Sequence, residues 1–445
     1  MKQPSTNADT NNKKLILLEL NEINFDVVKN YVARSPEKYP AFQKLLSGKN
    51  VRTFCEKKYE QIEPWIQWVS VHSGLSFEDH AVFRLGDIVG TDVPQIFEMI
   101  EQRGLRVGAV SAMNAENRLQ APSYFIPDPW TVTPSDNSWW SRVLTKALSQ
   151  VVNDNSQARV TASSSFTLVL ALLRFTRVEN YYAYLRLIFT SRGAPWRKAL
   201  VLDLLLHDIH RTLFLKHRTN FSTLFLNSGA HIQHHYFLNA KPFQKSVAQK
   251  NPEWYVKPNL DPIEEMLTVY DQIIKQCINI PGTELLVATG LSQKPYEKVK
   301  YYYRLKNHGE FLRLAGIKFR AVTPRMTRDF LLEFETKSEA KNAQMQLGEI
   351  RIAKDNAPLF GEIDYRGSSL FVTLTYPSQI SEDMLIEVNK SKINLIQHVT
   401  FVAIKNGMHQ ECGFAFFTSQ LANFSPPENS HVKHLHTTIS NYFLS

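Results

Sequence analysis

The segment Leu226–Phe237 has the sequence LNSGAHIQHHYF and follows directly on Phe221–Leu226, an apolar run typical of a buried strand. It places three histidines, His231, His234 and His235, within five residues. A buried strand that opens into a cluster of imidazoles is one way in which α/β enzymes direct ligands or acid/base groups into a cleft. Surface histidines in a polar turn would give the same local pattern, so the rest of the chain has to decide between the two.

Other apolar runs predict further buried strands, and amphipathic patterns predict helices between them. The predicted strands include Leu15–Leu20, Arg106–Ser111 and Thr283–Ala288, and the predicted helices include Phe25–Val32, Pro94–Gln102 and Asp261–Cys277. Such an alternation is the pattern of an α/β fold, in which a mostly parallel central sheet carries helices on both faces.

Two stretches depart from this alternation. Helical patterns replace the strands from 135 to 218, with a single long helix expected over Phe166–Ile188, and they predict a helical insertion or cap. Between 318 and 378, two strand patterns flank a helical one, which predicts a small α+β insertion. The core would then comprise residues 13–134, 219–317 and 379–445, preceded by a disordered leader over residues 1–12.

The end of the chain contains a last predicted strand, Val399–Ile404, and a polar tail. The tail carries His431, His434 and His436, for which we expect a solvated surface.

The composition is that of a soluble globular protein, with 43% hydrophobic and 21% charged residues among 445. The net charge of +9 favours anionic ligands, but the basic residues form no block of the kind that binds nucleic acid. Cys55, Cys277 and Cys412 are widely separated, which argues against disulfides and favours a reducing compartment. With neither a signal peptide nor a transmembrane segment expected, we predict a cytoplasmic, bacterial-type enzyme or binding protein; the oligomeric state is left open.

Four motifs, in order, resemble the alkaline phosphatase superfamily and specifically its type I phosphodiesterase/nucleotide pyrophosphatase branch. They are LNEINFD (Leu20–Asp26), PWIQWVSVHSG (Pro64–Gly74), AHIQHHYF (Ala230–Phe237) and GMHQECG (Gly407–Gly413). The resemblance implies an alkaline-phosphatase-like fold and hydrolysis of phosphate esters at a two-metal site. Two of the metal ligands of that site match His234 and His409.

The departures from the family pattern concern the reacting groups themselves. Asn21 and Ala230 stand where the family has metal-binding aspartates, and Pro64, or Ile62 in a shifted alignment, stands at the nucleophile. No ligand of the second metal appears near Ala288–Leu291. Without those carboxylates the chain is not expected to hold two adjacent divalent ions, so hydrolysis by the family's two-metal route is not expected either.

Two hypotheses follow. In the first, the chain is a hydrolase or transferase with a rebuilt site that acts on an anionic phosphate or sulfate ester, such as a phosphorylated sugar, a nucleotide or a glycan. Its candidate catalytic residues are Glu63, His231 and His234, and its candidate metal ligands are His234, His409, Asn21 and Glu22. The site would bind one divalent metal, with zinc favoured, or would work without metal as an acid/base set. In the second, the chain is a non-catalytic binding or scaffold protein that keeps the fold.

Some polar residues near these motifs also have purely structural interpretations. Glu19 lies inside an apolar strand, where it is expected to pair with a buried basic residue, and His72 is expected to pack in the core. Glu63 precedes Pro64 and could serve as the N-cap residue of a helix.

Overall fold

An eight-stranded sheet lies at the centre of the first of two compact units, which comprises Met1–Pro295 and Gly407–Ser445. The computed structural model describes residues 12–154, 161–242, 249–325, 328–388 and 391–445. The strands of the sheet are β1 (Leu15–Leu20), β2 (Lys49–Phe54), β3 (Val107–Val110), β4 (Tyr124–Ile126), β5 (Phe221–Leu226), β6 (Glu284–Ala288), β16 (Cys412–Phe417) and β17 (Ser430–His431).

The strand order is β17-β2-β16-β6-β1-β5-β3-β4. β16 is antiparallel to both of its neighbours, and the other pairings are parallel. The central strand β1 pairs with β5 on one side and with β6 on the other, so the ends of these three strands meet at one edge. The predicted α/β class with a mostly parallel sheet is confirmed.

Helices cover both faces of this sheet. Alternate side chains of β1 therefore lie in two separate apolar cores, one on each face. Ile16 and Leu18 belong to one core, and Leu15 and Leu17 belong to the other; all four are completely buried. The helices of this unit are α1 (Phe25–Arg34), α2 (Pro40–Ser47), α3 (Pro64–Ser73), α4 (Phe77–His80), α5 (Ile96–Glu101), α6 (Trp139–Asp154), α7 (Ala162–Phe175), α8 (Tyr181–Phe189), α9 (Trp196–His217), α10 (Ser228–Tyr236), α11 (Pro262–Ile278) and α14 (His434–Leu444).

The helix expected over Phe166–Ile188 is in fact two helices, α7 and α8, with a break after Phe175. Buried Asp208 stabilises the break, because its carboxylate accepts hydrogen bonds from the Arg177 backbone and from the Asn180 side chain. Continuous apolar periodicity concealed this interruption, since the group that fixes it comes from another helix.

The C-terminal segment is not the solvated tail that we predicted from its polar residues. Its helix α14 buries Leu435, Ile439 and Phe443, whose spacing of four residues places them on one helix face. Of its histidines, His434 is exposed, whereas His431 lies within 3.2 Å of the Glu56 carboxylate. The three apolar residues on one face of α14 are therefore enough to bury the helix, although most of its other residues are polar.

The second unit, Tyr296–Asn406, has an apolar core of its own. It is wider than the segment 318–378 because Phe311, Ile386 and Leu395, on either side of that segment, are buried in the same core. Its elements are β8 (Ala321–Pro324), β9 (Asp329–Glu333), β10 (Arg351–Ile352), β11 (Glu362–Tyr365), β12 (Ser369–Thr373), β13 (Leu385–Val388), β14 (Ser391–Asn394), α12 (His308–Leu314) and α13 (Lys337–Glu349). Two further strands, β7 (Ser292–Leu305) and β15 (Val399–Gln410), begin in one unit and end in the other.

No helix in the described ranges is both long enough and apolar enough to cross a membrane. Cys55, Cys277 and Cys412 are all buried free thiols.

Candidate functional site

The carboxyl ends of β1 and β5 bring two of the motifs side by side. Leu20 at the end of β1 is in register with Leu226 at the end of β5, and the backbone N–H of Asn21 donates to the Leu226 carbonyl. Ligand sites of open α/β sheets form outside such strand ends. Glu22 and the start of α10 are therefore neighbours because of the strand register.

Glu22 is held firmly at this edge. Its backbone has a φ of +62°, a left-handed conformation that is uncommon for residues other than glycine and that concentrates at functional sites. Its side chain is 3% exposed and accepts hydrogen bonds from Asn21 Nδ2 (3.1 Å) and Gln293 Nε2 (2.6 Å). These contacts fix the orientation of the carboxylate.

Two histidines from distant parts of the chain meet the same oxygen of Glu22. His234 Nε2 lies 3.1 Å and His409 Nε2 lies 3.0 Å from Glu22 Oε2, and the two nitrogens are 3.2 Å apart. The three atoms thus form a nearly equilateral triangle. The ligand atoms of a tetrahedral zinc ion, bound at about 2.0–2.1 Å, are separated by about 3.3 Å, so the triangle has the size of one face of that tetrahedron.

The cluster is not fully enclosed, since the His234 side chain is 31% exposed and that of His409 is 16% exposed. Among the residues that the structure describes, Glu22, His234 and His409 are the one group of three histidine, cysteine or acidic side chains close enough to share an ion. The donor set, two imidazoles and a carboxylate, suits a single zinc ion.

Glu63 contacts the far side of the His409 ring, where its Oε2 lies 3.5 Å from Nδ1. Glu63 occupies the N-cap position of α3 but makes no capping hydrogen bond with its side chain, so the carboxylate is directed to the site instead. A carboxylate behind a metal-binding histidine is the usual means of fixing the ring and its tautomer.

The electrostatics of the cluster favour positive charge beside Glu22. Burial alone would raise the pKa of Glu22, but His409 and His234 lower it well below its ordinary value. Burial alone would lower the pKa of His409, but the carboxylates of Glu22 and Glu63 raise it to about 9. Both shifts favour an ion pair of the Glu22 carboxylate with a protonated His409.

Close packing behind the triangle depends on glycine. A Cβ atom on Gly407 would clash with the Gln293 side chain and with the backbone carbonyl of Gln233. Gln233 in turn donates to the Glu22 carbonyl (2.7 Å) and accepts from the backbone N–H of Asn24 (3.1 Å). The first glycine of the GMHQECG motif thus allows the strand with His409 to approach Glu22.

The other predicted site residues lie at different distances from this cluster. Asn21 adjoins it, but its side-chain oxygen accepts from Trp68 Nε1 (2.8 Å) and its amide group donates to Glu22 and Asn227. His231 packs edge-to-face against His235, with ring centroids 4.7 Å apart, and burial lowers the pKa of His231 to about 4. Catalytic or metal-binding roles for these residues stay predictions.

Glu19 and His72 form a separate buried pair, with Glu19 Oε1 2.8 Å from His72 Nε2. Both side chains are almost completely buried, as expected for a structural pair within the core. Gln293 and Gly407 are the site residues that sequence reasoning did not single out. Gln293 lies outside the four motifs, and the only sequence signal for Gly407 was its place at the start of GMHQECG.

No protein-family model matches this chain, and no curated protein sequence matches it. Solved structures do match over almost the whole chain, at very low identity. Phosphonoacetate hydrolase from Sinorhizobium meliloti 1021, in complex with phosphonoformate, is 11% identical, with a TM-score of 0.41 and coverage of 96% of this chain and 95% of the other. Murine ectonucleotide pyrophosphatase/phosphodiesterase 5 is 10% identical, with a TM-score of 0.39 and coverage of 97% and 95%.

Alkaline phosphatase from the Antarctic bacterium TAB5 is 10% identical, with a TM-score of 0.40 and coverage of 97% of each chain. Likeness at this level transfers neither a family nor an activity to this chain.

Proposed function

We propose that this chain is a hydrolase of anionic phosphate or sulfate esters that works with one divalent metal ion, with zinc favoured. The observation that supports this proposal most is the triangle of Glu22 Oε2, His234 Nε2 and His409 Nε2, with edges of 3.0 to 3.2 Å. Three protein ligands, which leave the fourth position to water or substrate, are the arrangement of catalytic rather than structural zinc sites.

Each residue has a proposed part in this chemistry. Glu22, His234 and His409 would hold the ion, and Asn21 and Gln293 would orient the Glu22 carboxylate through their hydrogen bonds. When bound, zinc supplies Lewis-acid stabilisation for the negative charge that develops on the ester oxygens. Glu63 would support the His409 ring by its negative charge 3.5 Å from Nδ1 and, at 29% exposure, is the candidate to take the proton of an attacking water.

The substrate class follows from charge. The chain carries a net charge of +9, and the cluster stabilises positive charge next to Glu22. Both features favour an anionic ester, such as a phosphorylated sugar, a nucleotide or a glycan. Water is the proposed nucleophile, because Pro64, which begins α3 at the family's nucleophile position, has no hydroxyl group.

A binding protein without turnover is the second candidate, and the same proline favours it. The two functions differ in a direct assay. Protein purified without chelator and loaded with zinc is offered a phosphodiester, a phosphomonoester and a sulfate ester of p-nitrophenol, and release of p-nitrophenol is followed. We expect turnover of at least one ester, reduced at least about tenfold by Glu63→Gln and abolished by His409→Ala.

His434→Ala is the matched control, because His434 is an exposed histidine of α14 and its loss should leave the rate unchanged. Binding of an ester without turnover by the zinc-loaded chain would favour the binding protein. Turnover that persists unchanged in His409→Ala would refute the proposed site.

A further inference from the structure

The helical region after residue 160 exposes an unusual amount of apolar surface. Of the 21 large hydrophobic side chains that are exposed among the described residues, nine lie between residues 166 and 189. Isolated exposed hydrophobic residues need no explanation, but a concentration of this kind marks an interaction surface.

Two helices carry these side chains, and both show the same spacing. In α7, Phe166, Val169 and Leu173 are 64%, 51% and 79% exposed, at positions i, i+3 and i+7. In α8, Tyr182, Leu185 and Phe189 are 78%, 55% and 80% exposed at the same spacing. We call these six residues the outer face. The spacing places three side chains along one side of each helix.

The opposite sides of the two helices are occupied. Ala171 and Phe175 of α7, and Tyr184 and Leu187 of α8, are buried in the same apolar core as Leu200 of α9. Both helices therefore pack towards α9 with one side and present the outer face to the surroundings. Each helix has two apolar sides, only one of which the fold of this unit uses.

The segment that carries the outer face has a positive net charge, although one of its arginines, Arg197, pairs with Glu265 outside it. Residues 161–217 contain eight arginines and lysines and three acids, a net charge of +5 (8 − 3). Two of the acids, Asp203 and Asp208, are buried, and the third, Glu179, forms ion pairs with Arg177 and Arg211. Arg174 and Arg186, which follow directly on Leu173 and Leu185, are exposed.

We propose that the outer face binds a lipid surface that carries anionic headgroups. Apolar side chains on one side of a helix insert into the boundary between headgroups and acyl chains, and neighbouring arginines contact the headgroup phosphates. Tyrosine is well suited to that boundary, because its ring is apolar and its hydroxyl is polar. The helices would lie in the plane of the surface without crossing it.

Self-association is the competing explanation, and the charges disfavour it. A symmetric dimer through the outer face would place the same patch opposite itself. Arg174 and Arg186 of both copies would then be brought together in one interface, and the segment offers no exposed, unpaired acid to offset them. This proposal is independent of the proposed metal site.

Sedimentation of the full chain with vesicles tests the proposal. We expect binding to phosphatidylcholine vesicles that contain phosphatidylglycerol, weaker binding to phosphatidylcholine alone, and weakening by salt. Leu173→Ser/Phe189→Ser should reduce partitioning at least about tenfold, because two apolar side chains no longer leave water. Arg174→Gln/Arg186→Gln should reduce binding to the anionic vesicles about thirtyfold.

Met345→Ser/Leu444→Ser is the matched control, since these side chains are also exposed, at 57% and 63%, but lie outside the outer face. The control and a His234→Ala/His409→Ala variant should bind like the native chain, and thermal melting should show that every variant is folded. Absence of binding to anionic vesicles, or equal loss in the control, would overturn the proposal. So would a native dimer that the Leu173→Ser/Phe189→Ser variant converts to a monomer.

Discussion

Glu22 combines an uncommon backbone conformation with a buried charged side chain at the proposed site. Its positive φ is a conformation that an ordinary side chain adopts only at an energetic cost, and its buried carboxylate requires compensation. His234 and His409 supply that compensation here, and a bound cation would supply it equally well. The strained backbone position is thus that of a residue proposed to bind the metal.

Glu63 is the residue whose proposed role can be separated from direct metal binding. Glu63→Gln keeps the size of the side chain but removes the negative charge beside His409 Nδ1. We expect zinc affinity to fall about 10- to 100-fold, as is usual when a carboxylate behind a ligating histidine is lost. Competition with a chromogenic chelator measures the affinity.

Glu78→Gln is the matched control for this measurement, because Glu78 is an exposed acid of the neighbouring helix α4. It should bind zinc like the native chain. An unchanged affinity in Glu63→Gln would show that Glu63 does not support His409.

The buried pair Glu19 and His72 gives a prediction about stability. His72→Leu leaves the Glu19 carboxyl group without its partner in a completely buried position. We expect the free energy of unfolding to fall by about 3–5 kcal/mol. Replacing both residues, as Glu19→Leu/His72→Leu, should cost clearly less because no polar group is then stranded. Urea denaturation compares the three chains, and equal losses in both variants would contradict this account of the pair.

Asp203 connects three helices around the start of α10. Its Oδ2 atom accepts from the backbone N–H of Ser228 (2.9 Å) and from the Tyr270 hydroxyl (2.7 Å), so a residue of α9 holds both α10 and α11. Burial raises the pKa of Asp203 to about 6, although these hydrogen bonds lower it in part. The position of His234 therefore depends on a carboxyl group that resists ionisation.

This raised pKa has a consequence for stability. A group whose pKa is higher in the folded state stabilises the fold at low pH, and that contribution is lost as the pH rises through the folded pKa. Between about pH 4 and pH 7, Asp203 should therefore cost the native chain up to about 3 kcal/mol. In Asp203→Asn, whose amide oxygen can accept both hydrogen bonds, this part of the pH dependence should disappear.

Urea denaturation across that pH range, in native chain and variant, measures the difference. The two curves should diverge between pH 4 and pH 6 and then run parallel. Parallel curves throughout the range would show that Asp203 has an ordinary pKa in the folded state.

Elements differ in how far their sequence predicts them. β1 and β5 are continuous apolar runs, and the structure has them with the bounds that the sequence indicates. The break between α7 and α8 depends on Asp208, which lies in another helix, so local periodicity could not reveal it. The burial of α14 was concealed by its polar residues, although the spacing of Leu435 and Ile439 carried the signal.

For the whole molecule, the order of motifs predicted more than any single motif. His234 and His409 are 175 residues apart in sequence, and only the resemblance to a known arrangement suggested that they meet. The contribution of Gln293 arises from the close approach of three chain segments, with Gly407 among them, and no local pattern encodes such an approach. The positions of Gln293 and Gly407 in the site are therefore determined by packing between distant segments, which a local sequence pattern cannot predict.

X-ray absorption at the zinc edge, on the full chain loaded with one equivalent of zinc, measures the proposed ligand set directly. We expect nitrogen and oxygen ligands at about 2.0–2.1 Å, with the scattering pattern of two imidazoles. His234→Ala/His409→Ala should lose the ion, whereas His434→Ala should keep the native spectrum. A native chain that retains no zinc, or a double variant with an unchanged spectrum, would contradict the assignment of Glu22, His234 and His409 as a metal site.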